Sequence, residues 1–281
     1  MNDWTTIIKP KTSLFHVDFK ELWQYRDLYR MFVKRDIVTW YKQTILGPLW
    51  FFIQPILTTL MFMIVFGGIA QISTDGLPQP LFYLAGICLW QYFSESLTQT
   101  SNTFISNTHV FGKVYFPRLV VPLATVTSNL VRLAIQMSLF LIVYLYYFIF
   151  TDAAIQPSLY LLLTPVLILL LAGLALGFGI LFSSMTTKYR DLTFLLSFCV
   201  QLWMYATPVI YPLSTIKNEK LHFLMSLNPI TSIIETFKYA TLGVGSYSPY
   251  ALLYSAIFTV LILCTGILVF NRIQKTFMDT V

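Results

Sequence analysis

Apolar positions in this chain fall in long blocks, and polar ones collect in the gaps between them. Six blocks are about as long as a helix must be to cross a hydrocarbon core of roughly 30 Å: Leu49 to Ala70, Leu81 to Thr100, Leu119 to Phe150, Leu159 to Phe182, Leu192 to Tyr211, and Tyr250 to Phe270. None has the period-two alternation of a barrel strand, so each is expected to be a helix that satisfies its own backbone hydrogen bonds. The third is too long for one perpendicular span at about 1.5 Å per residue. Its first turns, near Pro117 and Pro122, should therefore project beyond the apolar layer.

The remaining segments have patterns of their own. From Asp18 to Tyr41, Leu22, Tyr25, Tyr29, Phe32, Val33 and Ile37 recur at helical spacing among charged residues, which predicts an amphipathic helix. Trp23 and Trp40 near its ends suit a headgroup layer, although the same helix could pack on another subunit. Lys42 is the last charge before Asp75, and Gly47-Pro48 breaks the chain where the first block begins. The loop from Ser101 to Arg118 is more apolar than a turn requires. Phe104, Ile105, Val110, Phe111, Val114, Tyr115 and Phe116 should be covered by lipid or, as we favour, by a partner. The connection from Pro212 to Pro249 holds apolar pieces of about 8 to 12 residues, too short to cross and expected to re-enter the membrane or lie on its surface.

Composition agrees: 57% of residues are apolar and 11% charged, which excludes a fold wrapped in one water-facing surface. The expected fold class is thus an all-α membrane protein with six transmembrane helices, an N-terminal interfacial helix and short re-entrant helices before the last span. Residues 1–48 form an N-terminal region and residues 49–281 the transmembrane domain. Eight lysines and arginines precede residue 49, and further pairs lie at Lys113 and Arg118, Lys188 and Arg190, and Arg272 and Lys275. The short loops on the other side carry only Asp75 and Asp152, so both termini are expected to be cytoplasmic. Lys217, Lys220 and Lys238 run against that bias. The net charge of +6 is then mostly a topology signal, and no basic domain points to nucleic acid. No signal-peptide core precedes the first span.

Candidate chemistry is sparse. The sequence contains no phosphate-binding loop, no H-E-x-x-H and no G-x-S-x-G. His16, His109 and His222 are far apart, and Cys88, Cys199 and Cys264 read as small hydrophobes, so neither a metal set nor a disulfide is expected. Ionisable groups inside spans are costly unless paired or wet, and Glu95 and Arg132 qualify. At about 1.5 Å per residue they lie roughly 21 and 27 Å from the outer ends of their spans, close enough in depth to pair or share a wet cavity. Gly173 and Gly177, with Ala175 and Gly179 beside them, mark a face where another helix can approach closely. Gln201, Trp203, Tyr205 and Thr207 make the end of the fifth block polar and aromatic, either as an interfacial belt or as the lining of a path.

Four stretches carry a family resemblance. Trp40 to Trp50, "WYKQTILGPLW" continuing to Pro55, resembles the approach to the first span in ABC-2 type polysaccharide exporters. "KYRDL" from Lys188, "TPVIYP" from Thr207 and "LNP" from Leu227 follow in the same order as in that family. The match departs at Trp40, where a basic residue often stands before the tyrosine; Arg35 and Lys42 are the cations nearby.

The resemblance implies a permease subunit in a bacterial inner membrane, a homodimer with two copies of a separate ATPase that binds ATP and Mg. Its implied cargo is a lipid-linked O-antigen, capsule or teichoic-acid type polymer. On that reading Arg35, Lys42, Leu46 and Gly47 meet the lipid headgroup, and Trp50, Phe51, Trp203 and Tyr205 face the glycan. His109, Phe111, Lys113, Tyr115 and Arg118 belong to the ATPase-coupling loop, and no cofactor is held by this chain itself. A membrane acyltransferase would need a His or carboxylate cluster at one leaflet, and an ion-coupled carrier more buried acids and an internal repeat.

Overall fold

The computed structural model describes residues 19–42, 44–151, 155–189 and 191–280, with side chains within 20–273. The expectations for Asp18, Asp152, Arg190, Lys275 and His16 lie outside the described residues. Among the described residues every regular element is a helix.

The N-terminal amphipathic stretch forms α1 (Phe19–Gln24) and α2 (Arg26–Tyr41). Its apolar face does not wait for lipid. Phe32 is buried with Phe104, Phe111, Phe116, Val120, Val121 and Phe270, and Tyr25, Tyr29 and Val33 pack around them. The Tyr29 hydroxyl donates to Thr127 Oγ1 at 2.7 Å, tying α2 to the long helix that follows the 101–118 loop. This second core also takes in the apolar half of the 101–118 loop. The loop contains two single turns, α5 (Thr103–Ser106) and α6 (Thr108–Phe111), whose phenylalanines fill the chain's own interior.

Gly47 turns the chain into the first span with φ +50°, a left-handed conformation that costs a residue with a Cβ about 1 kcal/mol or more. A Cβ there would meet nothing closer than 3.7 Å, so the requirement is conformational and not steric. The span runs from the 3₁₀ turn Gly47–Leu49 through α3 (Trp50–Phe62) into a π-helical stretch, Met63–Ile69. Pro55 inside α3 has no N–H to donate, which leaves a soft point one residue after Gln54.

Helix α4 (Gln79–Ser101) is the centre of the bundle, buried along most of its length and packed on α7 (Val120–Phe150) and α8 (Thr164–Thr186). The long third block is one continuous helix, beginning directly after Pro117-Arg118-Leu119. α8 and α12 (Pro249–Thr280) form the most extensive helix pair, and small residues make it possible. A Cβ on Gly266 would sit 2.7 Å from the Gly177 carbonyl, and one on Gly177 3.0 Å from the Leu263 nitrogen. Gly179 admits Thr100 of α4 in the same way.

Among the described residues, four helical stretches are long and apolar enough to cross a membrane: Gly47–Ile69, Val120–Phe150, Leu159–Thr186 and Pro249–Ile273. The other two blocks depart from expectation for different reasons. α4 has the length but carries too many polar residues in its second half. α9 (Leu192–Tyr205) is apolar but has only 14 residues, about 21 Å, because the helix stops six residues before Tyr211. The connection after it holds α10 (Glu219–Ser226) and α11 (Pro229–Leu242), each begun by an asparagine side chain that accepts from the first free N–H groups. α10 is exposed, whereas α11 buries every residue but Tyr239 against α4, α8 and α12. Of the pieces expected to re-enter the membrane or lie on its surface, α10 is exposed and α11 is enclosed by other helices. Gly243, at φ +79°, ends α11 as a left-handed cap.

Candidate functional site

A cleft of about 460 Å³ opens at the end of the bundle that carries α2 and the 101–118 loop. The last turns of α2 supply Arg35, Asp36, Thr39 and Trp40. The end of α4 and the loop supply Gln99, Asn102, Thr103, Ser106, Asn107 and His109, and α7 adds Val121 and Thr125. Its charges cancel: Arg35 Nη2 lies 2.8 Å and Nε 3.0 Å from Asp36 Oδ1, with the guanidinium 4.7 Å from the Phe32 ring centre. What remains is an array of side-chain amides and hydroxyls beside one indole. Such a surface can exchange hydrogen bonds with a neutral polyhydroxylated ligand more readily than it can neutralise a dianion.

The cleft continues into the bundle as a polar column. Gln91, Glu95 and Gln99 recur every fourth residue on α4, facing Asn129, Arg132 and Gln136 on α7. Gln99 Nε2 donates to Glu95 Oε1 (2.7 Å), and Asn129 Nδ2 donates to Gln99 Oε1 (3.0 Å). Arg132 Nη1 lies 3.0 Å from Glu95 Oε1, and its Nη2 donates to Gln54 Oε1 on α3 at 3.1 Å. Gln136 Nε2 donates to Gln91 Oε1 at 2.7 Å. The Arg132 side chain is 14% exposed and that of Glu95 40%, so the column is roofed by the arginine and open along the carboxylate. Asn129 Oδ1 and Arg132 Nε are buried without a hydrogen-bond partner. An intramembrane column with an open carboxylate and unused polar atoms is suited to face water or a polar cargo, since lipid cannot solvate it.

Other residues singled out in the sequence are dispersed. Trp40 meets Phe51 edge-on at 5.1 Å, and the Arg132 guanidinium covers Phe51 at 4.8 Å. Phe51 is therefore enclosed and is not a free face for a sugar, while neighbouring Trp50 is exposed. Trp203 stands edge-on against Phe93 and Phe178 in the core, and Tyr205 is exposed at the far end of α9. The chain by itself does not gather these four aromatics, because α3 and α9 share no substantial packing. Lys42 and Leu46 are exposed around the Gly47 turn.

Within the loop, His109 and Lys113 are exposed, and Tyr115 is exposed with its hydroxyl 3.3 Å from Glu21 Oε1. Phe111 is buried beneath Arg118, whose guanidinium lies 5.5 Å from its ring and whose pKa burial pushes down. Phe111 holds the loop from inside and offers no contact to a partner. Gln54 stands out beside Pro55 as a polar point in the first span, but reading only charged residues elsewhere missed Gln91, Gln99, Asn129 and Gln136. The four-residue recurrence on α4 and the three- and four-residue steps on α7 were the available signal.

Comparison with known proteins follows the same lines. Residues 27–242 match the family described as ABC-2 type transporter. The chain is similar to an O-antigen export system permease protein RfbA from Myxococcus xanthus, at 30% identity over 78% of this chain and 82% of the relative. It is similar to an RfbA protein from Klebsiella pneumoniae, at 27% identity over 90% of this chain and 94% of that one. The polysialic acid transport protein KpsM from Escherichia coli is 24% identical over 88% and 93% of the two chains.

Proposed function

The chain belongs to the ABC-2 type transporter family, and on that premise we propose that it is the membrane permease of an exporter of lipid-linked polysaccharide. The cargo class is supported by the relatives, whose names concern O-antigen export and polysialic acid transport. The observation that carries the reading to this chain is the charge-balanced cleft leading into the Gln99–Glu95–Arg132 column.

In this proposal six helices cross a bacterial inner membrane, with α4 and α9 joining the four apolar spans and both termini cytoplasmic. α11 enters the membrane part way from the outer side. α4 can be polar because it is enclosed by other helices, and α9 can be short because α11 fills the space beyond it. The chain works as a homodimer with two copies of a separate ATPase, and ATP and Mg are bound there. The exposed part of the 101–118 loop, with His109, Lys113, Val114 and Tyr115, meets the ATPase, while buried Phe111 and half-buried Arg118 transmit its displacement to α2 and α7.

A lipid-linked glycan arrives at the cytoplasmic leaflet. Lys42 and the backbone at Leu46-Gly47 meet its headgroup phosphates, with Arg35 released from Asp36 as a second cation. The first sugars occupy the amide-lined cleft beside Gln99, Asn102 and Asn107, and in the column beyond it the open Glu95 carboxylate can accept from hydroxyl groups. Trp50, Trp203 and Tyr205 offer flat faces once two copies are together. Expressing the chain in cells that lack their own O-antigen permease, with and without a co-expressed exporter ATPase from the same source, tests the division of labour. Surface polysaccharide should return only with both, and its return with this chain alone would refute the proposal.

A further inference from the structure

The segment that follows α9 is fixed in an unusual manner. After Tyr205 the helix gives way to "ATPVI", a tight turn in which the Val209 N–H donates to Thr207 O at 2.7 Å. Thr207 and Val209 have no exposed surface and Ile210 has 1%. The backbone carbonyls of a buried turn need donors, and neither a helix nor a strand supplies them here. Two side chains from α11 and its cap do. At the exposed edge of the turn, Asn228 Nδ2 donates to Ala206 O at 3.0 Å and lies 2.9 Å from Thr207 Oγ1. Lys238 Nζ donates to Pro208 O at 2.7 Å and reaches Val209 O at 3.5 Å.

Lys238 is wholly buried, its ammonium 3.6 Å from the ring centre of Phe82 on α4. One turn further along α4, Gly86 leaves room for the turn itself, since a Cβ there would stand 2.9 Å from Val209 O. Glu235, one turn before Lys238, is the neighbouring opposite charge that favours the ammonium through space, and its Oε2 also accepts from the Ser246 N–H at 3.1 Å. Burying an ammonium costs several kcal/mol unless its protons are well placed, and a methionine of similar volume would fill the same space without that cost. A lysine here makes sense if its hydrogen bonds hold something that packing alone would not.

We propose that Asn228 and Lys238 are positioning residues that form a two-point clasp on residues 206–209, holding the end of α9 closed against α4. Gly86 and Phe82 form the seat and the two side chains form the latch. Release of the latch frees the turn, and with it the end of α9 that carries Trp203 and Tyr205. The clasp thereby sets the resting state of the bundle end opposite the cleft, whatever cargo the chain carries.

The test reads water access to the turn. Val209→Cys is introduced into the full-length chain with Cys88, Cys199 and Cys264 changed to alanine, and the protein is placed in lipid nanodiscs, where both faces are reachable. Reaction with a water-soluble maleimide should be slow. Adding Asn228→Ala or Lys238→Met should speed it by about tenfold or more, as local opening becomes easier. Thr241→Val removes a 2.7 Å bond inside α11, from the Thr241 hydroxyl to Phe237 O, and should leave the rate slow. Equal rates in all variants would overturn the clasp. So would acceleration by Thr241→Val as large as that of Asn228→Ala, because a generally loosened α11 would then explain the effect. If Lys238→Met does not accumulate, Asn228→Asp decides alone, since it removes the amide donor but keeps the oxygen that caps α11 and leaves the buried ammonium in place.

Discussion

Arg132 answers for more of the column than any other side chain: it contacts Glu95, Gln54 and Phe51 on two different helices. Its removal leaves the Glu95 carboxylate with only the Gln99 amide, and the Gln54 amide oxygen with no donor, at a depth where lipid supplies none. Arg132→Met should destabilise the purified protein by about 3 kcal/mol, and Glu95→Gln by less, because Gln99 can still bond a neutral amide. Thermal unfolding in detergent measures both, and the double variant should fall short of the sum. The two charges themselves were visible in the sequence, because ionised residues stand out in an apolar block. Their amide neighbours were not, because glutamine and asparagine occur in spans for many reasons and only the register between α4 and α7 shows which ones face each other. Arg35 shows the reverse limit: its charge was legible, but the adjacent Asp36 that engages it was read only as part of a helix face.

Among the elements, the α8–α12 seam was the most legible, because Gly173 and Gly177 repeat at the spacing that close helix contact needs. The sequence did not show that Gly266 is its other half. Gly266→Leu should force the two helices apart and cost about 1–3 kcal/mol by overpacking, seen as a lower unfolding temperature and reduced abundance. Exposed Gly68, whose Cβ position meets nothing closer than 3.7 Å, is the comparison site. α9 and α11 were less legible for a physical reason. Hydropathy reports the wish to be buried but not what does the burying, so a helix of 14 residues with a folded turn read as one long span. α11, with Glu235 and Lys238 in it, read as a piece that either re-enters the membrane or lies on its surface, and the pattern did not show that its neighbours bury both charges. The same limit applies to Phe104, Phe111 and Phe116, whose apolar character suggested an external cover and whose cover is α2 and α12.

At the scale of the whole molecule, the bundle has two differently built ends joined by α4. One end holds the neutral, amide-lined cleft and the loop that shares a core with α2; the other holds the buried turn under α11. Class, helical architecture and family were legible from block lengths and four short motifs, because a membrane restricts the folds available to such a pattern. How a polar chain might pass was not, since that depends on which side chains point the same way. The central proposal is that cargo uses the column above the cleft. Its most direct test is the amount of surface polysaccharide made by cells carrying Gln99→Leu with Asn129→Leu, compared with the parent chain at equal membrane abundance and with the ATPase present. Export should fall by about tenfold or more, as expected when cargo loses hydrogen-bond partners worth at least 1.4 kcal/mol together; unchanged surface polysaccharide would contradict the proposal.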